Sequence, residues 1–183
     1  MAPHLAKISG SFIASPKKVG GSLMRVYRDV RFSKDKTPYN LHYTAFAGRG
    51  GKKNKEIPGI FLRFGPSETG IMGGCYMPNK DQLLAIRRTI SRDIPKFRKL
   101  IGAKKFKSQF GTILGEEHKR IPPEFRAVST KEPLIAKKQF YYMAQREPEL
   151  ILSKDLLGEV MGYWHAARPV NEYLLKALSL IHI

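Results

Sequence analysis

Cysteine is almost missing from this chain of 183 residues, and the single Cys75 excludes an internal disulfide and any metal site built from several thiolates. Long hydrophobic runs are missing too. No segment approaches the roughly 20 apolar residues that span a bilayer, and residues 1–20 hold no continuous apolar stretch of signal-peptide type. These absences fit a reducing compartment, and the expected address is cytoplasmic. Residues 1–28 also lack Asp and Glu while carrying Ser9, Ser11, Ser15 and Ser22, a composition shared with organellar transit segments, so organellar import stands as the alternative. Acid is scarce throughout: 15 Asp and Glu face 33 Lys and Arg, for a formal net charge of +18. A charge of that sign points to a polyanionic partner.

What is present is otherwise ordinary. Hydrophobic residues make up 42% and charged residues 26%, enough for a sizeable core and too regular for wholesale disorder. The length suits one domain over residues 1–183, with residues 1–22 expected as a partly ordered remnant of a longer N-terminal region. The charge is unevenly spread. Residues 1–60 carry 12 basic and 3 acidic groups, residues 61–120 carry 13 and 5, and residues 121–183 carry 8 and 7. A protein that meets phosphates on one side produces that asymmetry.

Residues alternate from Leu23 to Phe32, placing Met24, Val26, Arg28, Val30 and Phe32 on one face and Leu23, Arg25, Tyr27, Asp29 and Arg31 on the other, which predicts a strand. A connection through Ser33–Pro38 leads to a second strand from Tyr39 to Ala47. Gly48 to Gly59 reads as an exposed hairpin loop. Ile60–Phe64 and Gly70–Met77, joined by Gly65-Pro66-Ser67, complete a sheet of about four strands. Within the last of them, Gly73-Gly74 marks a bulge or the close approach of another backbone. After Pro78 the period changes. Asn79 and Gln82 have capping-box spacing, with Leu83, Ile86 and Ile90 on one face of the helix that follows and Arg87, Arg88 and Arg92 elsewhere. A second helix runs from Asp93 to Ile101 and stops at Gly102. Lys96, Arg98, Lys99, Lys104, Lys105 and Lys107 cluster here, while Phe97, Leu100, Phe106 and Phe110 read as core anchors. Gly111–Val128 reads mainly as loop, and Glu132–Arg146 suits a helix or a strand equally. Ser153 is placed to cap a C-terminal helix carrying Leu156, Leu157, Val160, Met161, Trp164, Leu174, Leu175 and Leu178, with Pro169 expected to kink or interrupt it near Ala166. The fold class is α+β, a mainly antiparallel sheet packed against C-terminal helices.

Several chemistries are disfavoured by spacing. The histidines at 4, 42, 118, 165 and 182 show no HExxH pattern and have no cysteine partners, so no metal site is expected. Gly48-Arg49-Gly50-Gly51-Lys52-Lys53 has the composition of a phosphate loop but the wrong glycine spacing and no Ser or Thr after the lysine. Glu116-Glu117-His118 reads as an isolated acidic patch on the surface. No cofactor is expected. The segment Arg28–Tyr39 carries more: Arg25, Tyr27, Asp29 and Arg31 share a face, and fork-shaped guanidinium donors oriented by an acid suit a phosphate or carboxylate. An ion-pair network that merely closes the connection accounts for the same pattern.

The run from Met24 to Tyr39, MRVYRDVRFSKDKTPY, closely resembles the hallmark of the widespread family catalogued as domain of unknown function 2461. Later landmarks follow in order: Pro58-Gly59, Gly73-Gly74 before Met77-Pro78, Ile86-Arg87, Lys119-Arg120 with Pro122-Pro123, and Lys137-Lys138 near Phe140. The resemblance extends from about Leu5 to Leu178 and departs in two places, since the chain starts after the helical segment family members usually carry and holds Glu124 where a glycine-containing turn is usual. It implies an α+β fold and a cytoplasmic address, and supplies no catalytic residue or cofactor.

Three readings remain, the third a protein-interaction module whose charge is incidental. In the first, a basic domain binds nucleic acid, RNA favoured, alone or as part of a larger assembly, with Arg25, Arg28, Arg31, Lys34 and Lys36 on phosphates, Arg49, Lys52, Lys53 and Lys55 extending the grip, and Arg87, Arg88 and Arg92 forming a second basic edge. In the second, an enzyme or binding protein takes a small anion, with Arg28, Arg31 and Arg63 as clamps, Asp29 or Asp35 as acid or base, and Tyr39 or His42 as proton donor.

Overall fold

The computed structural model describes residues 12–15, 17, 21–49, 51 and 57–180. The fold is α+β, an antiparallel sheet packed against C-terminal helices. Five strands lie in chain order, β1 (Phe12–Ile13), β2 (Tyr43–Arg49), β3 (Gly59–Phe64), β4 (Thr69–Cys75) and β5 (Phe140–Arg146). The helices are α1 (Lys80–Arg92), α2 (Ile94–Ile101), α3 (Lys104–Phe110), α4 (Arg126–Lys131) and α5 (Leu156–Ser179). The chain divides into two compact units, one containing the described residues up to Gly51 with Gly59–Met72 and Ala144–Gly162, the other containing Gly73–Met143 and Tyr163 onward. Strands β4 and β5 and helix α5 contribute residues to both.

In the first unit, β2 and β3 form an antiparallel ladder from Tyr43↔Phe64 to Gly48↔Gly59. Phe46, Ala47, Ile60 and Leu62 are its buried residues. The expected loop between these strands falls largely on Gly50 and residues 52–56, outside the described residues. β3 and β4 are joined through Pro66-Ser67, closed by Gly65 N–H donating to Glu68 O at 2.9 Å.

In the second unit, Gly74 explains its own identity. Its φ is +87°, and a Cβ there would sit 2.3 Å from Phe140 O and 2.9 Å from Tyr141 Cα, so only glycine lets these backbones approach. Helix α1 starts as its spacing predicts: Asn79 Oδ1 accepts from Gln82 N–H at 2.9 Å, and Gln82 Oε1 accepts from Asn79 N–H at 2.8 Å. Asp93 caps α2 by accepting from Lys96 N–H, and Gly102 ends it. Phe97, Phe106 and Phe110 are buried with Phe140 and Tyr142, confirming three of the four expected anchors, while Leu100 is half-buried. At the segment compatible with either helix or strand, the structure shows strand: Phe140, Tyr142 and Ala144 point inward and their neighbours do not, a period of two.

Three expectations about secondary structure are corrected, and one helix falls where none was expected. Leu23–Phe32 is extended but is not a ladder strand; it makes two isolated bridges, Leu23↔Ala45 and Tyr27↔Tyr39, between which three residues on one side face five on the other. The slip is taken up at the bends Leu41 and His42, and Pro38 accepts from Arg28 N–H at 2.9 Å with no N–H to return. Pro169 does not interrupt α5, which is continuous from Leu156 to Ser179. Pro169 and His165, whose carbonyl loses its partner, both lie on the exposed side, where solvent has access to that carbonyl. Ser153 is not the cap of α5. Asp155 takes that place, its Oδ1 accepting from Gly158 N–H at 3.2 Å and its carbonyl accepting from Glu159 N–H at 3.0 Å. Finally, Lys104–Phe110 forms a helix that no capping signal announces, since Ala103 supplies no side-chain cap.

Candidate functional site

The first unit carries an antiparallel hairpin over residues 22–46, whose inner bonds run from Met24 N–H to Thr44 O, Phe46 N–H to Ser22 O, Arg28 N–H to Pro38 O and Asn40 N–H to Val26 O. From Leu23 to Arg31 exposure alternates, odd positions outward, so Arg25, Tyr27, Asp29 and Arg31 do share the exposed face expected of them. The far end is tied by its own side chains. Arg31 grips Asp29 with two parallel bonds, Nε to Oδ1 at 2.9 Å and Nη2 to Oδ2 at 2.7 Å. Arg28 pairs with Asp35 rather than with Asp29. Asp35 Oδ1 also accepts from Thr37 N–H at 2.9 Å, and Lys36 Nζ donates to Val30 O at 3.0 Å. The Thr37 hydroxyl and Arg28 hold the Asp35 carboxyl well below the usual carboxylate range, and Arg31 lowers Asp29 in the same way. Both are therefore ionised acceptors near neutral pH, which weighs against either as a general acid.

The network that closes the connection is present, and it leaves some charges unspent. Arg25 and Lys34 are exposed, and their side chains make no hydrogen bond or ion pair among the described residues. Between them the hairpin exposes aromatic surface. Phe32 is 96% exposed on the turn, Tyr27 and Tyr39 pack their rings 5.1 Å apart, and Tyr43 is also exposed. Phe32 was expected on one face with Met24 and Val26, which are half-buried; the turn at Arg31-Phe32, closed by Ser33 N–H to Val30 O, rotates it into solvent. That turn contains neither Gly nor Pro, so no local signal marked it.

The other predicted residues fall in different places. Arg49 is exposed at the end of β2, while Lys52, Lys53 and Lys55 lie outside the described residues. Arg63 pairs with Glu68 at 2.9 Å at the β3–β4 turn. His42 lies near them, its imidazole lowered by burial and then by Arg63. No hydrogen bond joins this group to Asp29, Asp35 or Tyr39 among the described residues. In the second unit Arg88 is exposed and faces Glu124 at 3.6 Å, and Arg92 is exposed. Arg87 is only 2% exposed and so leaves the basic edge on which it was placed. The acidic patch at Glu116-Glu117 is not isolated either: Glu116 pairs with Lys138 at 2.9 Å and Glu117 with Lys137 at 3.0 Å.

Cys75 is buried and its thiol is pushed up to about 12 by that burial, which removes it as a nucleophile. Among the described residues no group of three or more His, Cys, Asp or Glu side chains is set to hold a metal ion, and no helix is long and apolar enough to cross a membrane. A family model described as a conserved hypothetical protein (DUF2461) matches residues 1–173. No curated protein and no solved structure matches the chain.

Proposed function

We propose, from the premise that this chain belongs to the DUF2461 family of conserved hypothetical proteins, that it binds nucleic acid, single-stranded RNA favoured, through the hairpin 22–46. The observation that carries the reading is the fully exposed Phe32, on the same hairpin as the exposed Tyr27–Tyr39 ring pair and as Arg25 and Lys34, which make no ion pair among the described residues. Unstacked bases dock on such rings while cations hold the backbone, and unpaired strands offer both. An apolar ring this exposed has no packing role to explain it. Arg31, whose Cζ lies 5.9 Å from the Phe32 ring centroid, supports the ring from one side.

The rival, a binder or enzyme for a small anion using the same motif, draws less support because Arg28 and Arg31 already hold carboxylates. The test is binding of the purified protein to short single-stranded RNA, duplex RNA and duplex DNA across a salt series. Arg25→Gln with Lys34→Gln removes unpaired cations without dismantling the loop. Selective weakening of single-strand binding in that variant supports the reading. Binding that is equal for all three polymers and unchanged in the variant ends it.

A further inference from the structure

In the second unit nearly every described cation with a fixed partner meets a carboxylate: Arg88 with Glu124, Arg98 with Glu132, Arg168 with Glu172, Lys137 with Glu117 and Lys138 with Glu116. Arg87, the one buried arginine among the described residues, has no such partner. Its guanidinium is aimed by two carbonyls, Nε donating to Ile135 O at 2.9 Å and Nη2 to Lys137 O at 3.2 Å. The Phe125 ring centroid lies 5.9 Å from its Cζ. Nη1 makes no hydrogen bond to a described residue. A cation withdrawn from water is normally paired or neutralised, and carbonyl dipoles aim this one without cancelling its charge.

The same short segment also holds a histidine. Ala136 O, between the two carbonyls that aim Arg87, accepts from His118 N–H at 2.9 Å. Burial, followed by the fields of Arg87 and Lys138, lowers the His118 imidazole from its ordinary value. The surrounding charges are accounted for: Lys137 and Lys138 are offset by Glu117 and Glu116, and Arg88 by Glu124, while Lys119 and Arg120 are exposed beside His118. His118 and residues 136–139 are all only half-buried.

We propose that Arg87 and His118 form a binding site for a phosphate oxyanion, the guanidinium supplying the fixed positive charge through its free Nη1 edge and the imidazole a second donor when it takes up a proton. A planar fork already oriented by carbonyls suits a tetrahedral oxyanion, and the arriving charge would supply the neutralisation that no side chain provides. The site is independent of the hairpin and of its proposed ligand.

The experiment follows the His118 ring resonances by NMR as inorganic phosphate replaces chloride at constant ionic strength, with a nucleoside monophosphate in a parallel arm. Phosphate is expected to raise the His118 titration midpoint saturably and to shift the Arg87 Nε–H signal, in the wild type and equally in Arg25→Gln/Lys34→Gln. Either phosphate source supports the site, and the tighter one identifies the form it takes. Arg87→Met, which keeps the apolar stem, should abolish the response. If that variant does not fold, His118→Asn serves, with a weakened Arg87 Nε–H response expected. A His118 midpoint that neither phosphate source moves, or that moves as much in Arg87→Met, overturns the proposal.

Discussion

Truncating Phe32 separates binding from folding more cleanly than any other change in the hairpin. The ring is 96% exposed, so Phe32→Ala removes almost no buried surface and should change stability by less than about 0.5 kcal/mol. A base stacked on an aromatic ring is worth about 1 to 3 kcal/mol. At about 1.4 kcal/mol per tenfold, the dissociation constant for single-stranded RNA should rise about 5- to 150-fold. Fluorescence anisotropy with a labelled oligonucleotide gives the constant, and thermal unfolding gives the control. The salt series supplies an internal check: Phe32→Ala should shift the line of log affinity against log salt without changing its slope. Arg25→Gln/Lys34→Gln should flatten that line by about 0.7 per lost phosphate contact. Unchanged affinity in Phe32→Ala refutes stacking at this position, and a loss that tracks a drop in melting temperature refutes the claim that the ring is structurally idle.

Gly74→Ala should cost about 2 to 4 kcal/mol in urea unfolding, because a positive φ is joined to a Cβ position 2.3 Å from Phe140 O. Tyr142→Phe removes a fully buried hydroxyl that donates to Asn171 Oδ1 at 2.7 Å and should cost about 1 to 3 kcal/mol, measured the same way. Asp29 and Asp35 have folded values below the ordinary 3.8, so the stability they give the loop is present above that value and lost as pH falls through the folded values. The Thr37 amide resonance should hold its native position at neutral pH and move only in strong acid.

Much of the fold was readable in local pattern. The Asn79–Gln82 spacing, the stop at Gly102 and the strand at Ile60–Phe64 each depend on neighbours a few residues apart, and each is where it was expected. Apart from the cap of α5, which moves two residues from Ser153 to Asp155, the failures involve groups distant in sequence or decided by solvent. Alternation from Leu23 to Arg31 is real as side-chain exposure, yet Pro38 and the slip at Leu41-His42 lie on the opposite arm and deny it a ladder. Pro169 carries a strong helix-breaking signal, but the cost depends on where the orphaned carbonyl points. For the candidate site, the basic residues of the hairpin were legible and their partition was not. Arg28 reaches Asp35 only after the chain has turned back, and Arg87 is indistinguishable from Arg88 until burial is known. The aromatic contribution was the larger omission, since Phe32 in an alternating run looks like a core residue.

The two acids of the hairpin bear on the cost of recognition. Asp29 and Asp35 subtract from the positive charge of the loop, but they hold Arg28, Arg31 and Thr37 in place before any partner arrives. A loop so tied has already given up rotamer and backbone freedom during folding, and that loss does not recur on association. Charge is thereby exchanged for preorganisation, and complexes formed by this hairpin should owe their lifetime more to fixed shape than to attraction at a distance.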